Sequence, residues 1–310
     1  MVRRQQGQVL SEGSALHRCA VWGSPVVHSL SPVLHRAAYA ALGLTDWEYA
    51  RRDVDEAAFP DAFAGLDGSW RGLSLTMPLK EVGLRAARTV TPLAAATGAA
   101  NTLVRDADDP SAWTAHNTDV HGIRTALALA GCPAPSSLLV LGSGATARSA
   151  LAAITSPLAR VVFMVRDRVR PETLAQARAA GTAVEVVPMG RWEAVRDVDA
   201  VVSTVPPSSV TGLERLDRLD HASARTPRGP AVLDVVYGTG RTPLQRAAAA
   251  QGWPVAEGTD MLLHQATEQV RLMTGLPAPL AAMSEALRDA LAQRATTGGR
   301  RPSQAPDPAR

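Results

Sequence analysis

Of the 32 basic residues in this 310-residue chain, one is a lysine: Lys80, in the segment Gly72-Leu73-Ser74-Leu75-Thr76-Met77-Pro78-Leu79-Lys80. All the others are arginine, and a chain that otherwise uses arginine throughout would not keep a lysine needed only for solvation. Pro78 predicts a helix start, which places Lys80 in a first turn, where a cation opposes the helix dipole. A lysine retained there points to proton transfer near neutral pH; an exposed surface lysine is the alternative. Asp119, in His116-Asn117-Thr118-Asp119, either caps the helix that follows it or faces Lys80 across a domain boundary as half of a proton-handling pair. Ser29 and Ser31 lie two apart in Ser29-Leu30-Ser31-Pro32, so in an extended chain their hydroxyls face one way. Ser31 reads either as a helix N-cap or, with Ser29, as a pair of donors for a carboxylate at a helix N-terminus.

A second constellation is Gly142-Ser143-Gly144-Ala145-Thr146-Ala147, between the apolar run Leu138–Gly142 and a helical run. It fits G-x-G-x-x-[G/A]. The first glycine permits the tight turn, the second lets backbone approach a pyrophosphate, and the small sixth residue lets the helix pack on the strand. Backbone N–H groups at the helix start then hold phosphate. About 24 residues after Gly142, at the end of the next strand, come Val165-Arg166-Asp167-Arg168, near the spacing at which these folds read the adenosine ribose. Val165 stands where an acidic residue would take the ribose diol of NAD. Arg166 and Arg168 favour the 2′-phosphate of NADP, and Asp167 keeps NAD open.

These residues sit in an alternation of strand-like and helix-like runs, the pattern of an α/β protein. Strands are expected at 18–23, 47–53, 72–76 and 101–105, and again at 137–142, 161–166, 183–188, 200–206 and 231–237. Helices are expected at 32–43, after Pro78, at 92–99, 121–135, 145–154, 258–275 and 279–293. A boundary near residue 118 separates two mononucleotide-like halves. Residues 1–15 and 295–310, polar and rich in Gly, Pro and Arg, are expected to be disordered.

Composition narrows the function. Apolar residues make up 46%, enough for a sizeable core, and the formal charge is only +3, with no basic run to suit nucleic acid. Two cysteines supply neither a disulfide framework nor a metal cluster. No apolar run approaches the ~20 residues of a membrane span, and the N-terminus lacks a signal-peptide core. A cytoplasmic protein with a small anionic ligand, without metal, membrane or nucleic acid, is expected.

Taken together and in order, these segments resemble the shikimate dehydrogenase family from about residue 18 to about residue 290. GSPVVHSLSPVLH is similar to its carboxylate-binding segment, with Ser29 and Ser31 in place. LTMPLK resembles the segment carrying a substrate-binding threonine, Thr76, and the catalytic lysine, Lys80. GAANTL carries Asn101, and NTD carries the catalytic Asp119. VLGSGATAR resembles the glycine loop, from Gly142, Ser143, Gly144 and Ala145 to Thr146. LDVVYGTGRTPL carries a substrate-binding tyrosine, Tyr237. MLLHQA carries Gln265 at a substrate-hydroxyl position, and Val235 and Gly258 fall where the family touches nicotinamide.

The resemblance implies two α/β domains. Residues 16–118 plus 258–294 would form a mixed-sheet substrate domain, completed by returning C-terminal helices. Residues 119–257 would form a Rossmann-type NADP domain. It implies NADPH-dependent reduction of 3-dehydroshikimate to shikimate, a step towards chorismate and the aromatic amino acids, and leaves a homodimer open. Departures are Ser74 for a frequent Asn, Val120 for Gly, Thr259 for an apolar residue, and Val165-Arg166-Asp167 for Asn-Arg-Thr. The competing readings are an NAD-dependent quinate/shikimate dehydrogenase or an amino-analogue relative, and a non-catalytic NADP-binding sensor. A sensor would need no Lys80–Asp119 pair.

Overall fold

The computed structural model describes residues 16–218, 228–238 and 240–298. Two six-stranded sheets form in succession. The first contains β1 (His17–Gly23), β2 (Trp47–Asp53), β3 (Trp70–Leu75), β4 (Thr89–Val90), β5 (Thr102–Arg105) and β6 (Trp113–His116), in the order β2-β1-β3-β5-β6-β4. It is mixed: β1 runs parallel to β2 and β3, and β5 is antiparallel to both of its neighbours. Its helices are α1 (Ser31–Ala41), α2 (Phe59–Ala64), α3 (Lys80–Ala86) and α4 (Pro92–Thr97).

α5 (Asp119–Leu129) leads into the second sheet, made of β7 (Ser137–Leu141), β8 (Arg160–Val165), β9 (Ala183–Pro188), β10 (Ala200–Ser203), β11 (Ala231–Asp234) and β12 (Val255–Ala256). These are all parallel, in the order β12-β11-β10-β7-β8-β9. α6 (Ala145–Ala153), α7 (Pro171–Ala179) and α8 (Pro243–Ala250) connect them, and α9 (Gly258–Thr274) and α10 (Leu280–Gly298) close the chain.

Burial follows from this layering. β7 is buried at every position, as a central parallel strand covered on both faces must be. β2, an edge strand, carries the exposed Arg51, Arg52 and Asp53, charges that suit an unpaired edge. The C-terminal helices return to the first sheet: Leu262, Ala266, Val270, Met273, Met283 and Leu287 share a core with Leu30, Leu34, Tyr39 and Tyr49. α5 and α9 cross where Gly122 faces the backbone. A β-carbon there would lie 2.5 Å from the Met261 carbonyl oxygen, so only glycine permits the approach.

Most expected elements appear within a few residues of their predicted ends. The sequence reading missed α2, β4, β6 and the two-residue β12. β4 has two residues, and β6 follows a run of aspartates with a proline that reads as a turn. α10 continues to Gly298, so residues 295–298 are helical where disorder was expected. The rest of the two expected disordered ends lies outside the described residues. Among the described residues no helix is long and apolar enough to cross a membrane.

Candidate active site

A cavity of about 440 Å³ lies between the two sheets. Chain segments leaving the C-terminal ends of β1, β3, β7 and β11 reach it, the edge at which α/β sheets take their ligands. Ser29, Ser31, Thr76, Lys80, Asn101, Asp119, Tyr237 and Gln265 all line it, together with Thr146, Val235 and Gly258 from the expected cofactor set.

Local structure explains their placement. Lys80 is the first residue of α3, as Pro78 led one to expect. Ser31 is not an N-cap. Leu30 holds that position without a side-chain hydrogen bond, and Ser31 and Pro32 occupy the first two helical positions. The Ser31 hydroxyl is therefore not spent on capping. Nor are Ser29 and Ser31 in one extended run, since a helix begins between them; the Ser31 N–H donates to Ser29 Oγ at 3.3 Å. Asp119 likewise does not cap α5: Thr118 is the cap residue and Asp119 the first helical one. A carboxylate there is favoured by the helix dipole.

Lys80 and Asp119 meet. Lys80 Nζ donates to Asp119 Oδ2 at 2.5 Å, and both side chains are largely buried. Asn101 Nδ2 donates to the other carboxylate oxygen, Oδ1, at 2.8 Å and to Gln265 Oε1 at 3.2 Å. The Asn101 amide is oriented by Thr118, whose backbone N–H donates to Oδ1 at 2.7 Å.

A second network forms the pocket floor. It centres on Gln269, which the sequence reading missed although it lies four residues, about one helical turn, beyond Gln265. Gln269 Nε2 donates to the Asn101 carbonyl at 3.3 Å and to Thr102 Oγ1 at 2.9 Å, so Oε1 faces the other way. There it accepts from Ser74 Oγ at 2.8 Å and from His35 Nε2 at 3.2 Å. With its proton committed to Gln269, Ser74 can only accept from Tyr49, whose hydroxyl lies 2.6 Å away. The same accounting makes His35 the Nε2–H tautomer. Its Nδ1 has no partner among the described residues, and burial pushes its pKa down from 6.5 to about 3. His35 stacks on Tyr49 with ring centroids 3.9 Å apart, which makes it a packing residue of the floor.

Tyr237 approaches from the second sheet. Burial raises its pKa, and the Leu30 backbone and the Ser29 hydroxyl partly offset this. Three hydroxyls, those of Ser29, Ser31 and Tyr237, therefore border the cavity at one end, and the Lys80–Asp119 pair borders it with Asn101 and Gln265.

The glycine loop fits an anionic dinucleotide. Gly142 has φ +96°, and a β-carbon on it would lie 2.8 Å from both Thr204 and Val205. Around Gly144 a β-carbon would meet nothing within 4 Å, so the loop opens onto free space. No side chain caps α6, which leaves its first N–H groups for a ligand. Ser143 is tied back: its Oγ accepts from the Arg170 N–H at 3.2 Å and its carbonyl from Thr173 Oγ1 at 2.7 Å. Gly258 opens α9, where a β-carbon would lie 2.7 Å from the Asp234 carbonyl oxygen. Val165, expected among the cofactor contacts, turns its side chain into the core, and its carbonyl accepts from the Met189 N–H. It therefore offers a ligand no free polar group on that side. Arg166, Asp167 and Arg168 are exposed.

A parallel, Rossmann-type sheet joined through such a cavity to a mixed sheet with a lysine–carboxylate pair defines a dinucleotide-dependent oxidoreductase architecture. Comparison with known proteins agrees. The model of the shikimate dehydrogenase substrate binding domain matches residues 21–103, and that of the shikimate 5'-dehydrogenase C-terminal domain matches 258–288. Shikimate dehydrogenase (NADP(+)) of Moorella thermoacetica is 35% identical over 90% of this chain and 95% of its own length. The crystal structure of Mycobacterium tuberculosis shikimate dehydrogenase superposes with a TM-score of 0.74 at 36% identity, covering 88% of this chain and 99% of that one. The Thermus thermophilus enzyme, solved in complex with NADP(H) and shikimate, gives 0.69 at 30% identity, with 89% and 100% covered. The chain also spans 17% of the pentafunctional AROM polypeptide of Yarrowia lipolytica, at 33% identity over 83% of its own length. The chain belongs to the shikimate dehydrogenase family.

Proposed function

We propose that this protein catalyses the reversible, NADPH-dependent reduction of 3-dehydroshikimate to shikimate. The observation that carries the reading is the 2.5 Å Lys80–Asp119 pair in a cavity beside an open glycine loop. NADPH, when bound, supplies the hydride for the ring ketone. The chain's own residues bind, orient and manage the proton. Ser29, Ser31 and Tyr237 hold the carboxylate by O–H donation. Thr76, Asn101 and Gln265 hold ring oxygens. The Lys80 ammonium donates to the ketone oxygen as negative charge develops there and gives it a proton, and Asp119 orients that ammonium and balances its charge. In the oxidative direction the lysine amine takes the proton back.

On the cofactor side, the N–H groups of Gly144 and the first turn of α6 receive the pyrophosphate, and Val235 and Gly258 border the nicotinamide. Arg166 receives the 2′-phosphate as a planar, permanently charged donor, while Asp167 turns outwards. We further propose residues 16–118 plus 258–294 as the substrate domain and 119–257 as the NADP domain. We place the enzyme in the cytoplasm as a homodimer, which light scattering would check.

The deciding assay follows absorbance at the NADPH band with shikimate and quinate, each offered NADP and NAD. Turnover with shikimate and NADP exceeding the other three combinations is expected. Turnover confined to quinate or to NAD would replace the reading with the NAD-dependent one, and none at all would favour a sensor.

A further inference from the structure

The first two residues of α3 both reach across to α6. Lys80 Nζ donates to Thr146 Oγ1 at 3.3 Å, and Glu81 Oε1 accepts from Arg148 Nη2 at 2.6 Å. Arg148 is 2% exposed and is itself fixed: its Nε donates to the Thr97 carbonyl at 2.5 Å and its Nη2 to the Gly98 carbonyl at 3.3 Å. One residue on, Ser149 accepts from Asn117 Nδ2 at 3.0 Å. The helix that begins at the glycine loop is thus bonded at residues 146, 148 and 149 to the half of the molecule that carries Lys80. The charged groups around Lys80 are Asp119 from α5 and Glu81 on α3. Glu81 is engaged by Arg148 and lies 3.7 Å from Arg170.

Counting protons gives Thr146 a direction. An ammonium has three N–H groups and accepts nothing. One goes to Asp119 and one to Thr146, which leaves the third for the cavity. Thr146 Oγ1 is therefore an acceptor, and its own O–H donates to no group among the described residues. That proton is free on a side chain in the first turn of α6, where phosphate is favoured.

We propose that Thr146 is a positioning residue that carries occupancy of the glycine loop to Lys80. A phosphate oxygen of the dinucleotide accepts the free O–H, and the hydroxyl so polarised becomes a stronger acceptor for the ammonium. Lys80 is then held on Asp119 from one side and on Thr146 from the other, with one N–H aimed at substrate. The proposal rests on the NADP-dependent reading above.

Because Lys80 is the only lysine, a chain labelled with carbon-13 at lysine Cε gives a single lysine signal. Titrating NADPH without substrate should shift that signal in the wild type, at the concentrations where NADPH fluorescence reports binding. Thr146→Val keeps the branched shape and removes the hydroxyl. It should weaken NADPH binding by roughly tenfold, lose most of the shift even when NADPH fluorescence shows saturation, and at saturating NADPH lower kcat for shikimate by roughly tenfold, each the weight of one hydrogen bond to a charged group. Thr146→Ser should restore all three. A Thr146→Val signal that still moves as in wild type, or a kcat within about twofold of wild type, overturns the proposal. Wild type without NADPH binding or turnover would instead sink the functional reading, and this proposal with it.

Discussion

The floor of the cavity and the loop after β8 meet a ligand in opposite ways. Tyr49, Ser74, Gln269, Thr102 and Asn101 are buried, and each amide or hydroxyl is held in its orientation by a hydrogen-bonded neighbour. Arg166, Asp167 and Arg168 are exposed and make no such bonds among the described residues. A buried, satisfied network holds reacting groups in one geometry, and leaving any member unpaired is costly. An exposed charged loop selects by field and by adaptable donors, and salt screens it. Chemistry should therefore be set by the first region and cofactor preference by the second.

The largest expected effect tests the reacting pair. Lys80→Ala should lower kcat by roughly 10²–10⁴-fold, the usual weight of a general acid/base. NADPH binding, followed by fluorescence, should stay intact. Near-native turnover would remove Lys80 from the mechanism.

The next tests the floor. His35 is neutral in the fold with a pKa of about 3 against 6.5 in the unfolded chain. As pH falls through 6.5 the unfolded state takes up a proton that the folded state refuses, so stability is lost progressively down to about pH 3. Between about pH 7 and about pH 4 this one group should cost about 3 kcal/mol. Denaturant melts should show that this part of the acid destabilisation disappears in His35→Gln. Equal acid sensitivity in both proteins would contradict the buried, neutral assignment.

How much of this could be read from sequence depends on how local each signal is. Thr76 and Lys80 share one short segment, and the glycine loop carries its strand and helix with it, so both were legible. Ser31 stayed open between a cap and a carboxylate donor because one residue decides it: the helix starts one residue earlier than the N-cap reading required, with Leu30 at the cap. Asp119 was ambiguous until α5 was seen to begin on it. Tyr49, His35, Gln269 and Arg148 sit on four different elements, β2, α1, α9 and α6. Their roles exist only once those elements pack, and nothing in their spacing announces them. Val165 occupies the cofactor-reading position by count, but the strand alternation turns its side chain inwards.

Two smaller effects probe the ligand end of the comparison. Ser29→Ala and Ser31→Ala should weaken shikimate binding by about 0.5–3 kcal/mol each, the span of hydrogen bonds from neutral to charged partners, which raises the shikimate KM by roughly 2- to 150-fold, with kcat less affected. Since Ser31 caps no helix, thermal stability should change little. A fall in stability with unchanged KM would restore the capping role.

The most direct measurement of the division between the two regions is kcat/KM for NADP and for NAD in the wild type, Lys80→Ala and Arg166→Ala, at low and high salt. Arg166→Ala should lose about tenfold with NADP, the weight of one exposed charge-assisted contact, and little with NAD. High salt should narrow the wild-type preference in the same sense. Lys80→Ala should lose equally with both cofactors. A wild type that uses NAD as well as NADP, or an Arg166→Ala that loses equally with both, would contradict the account and leave Asp167 as the residue that reads the ribose.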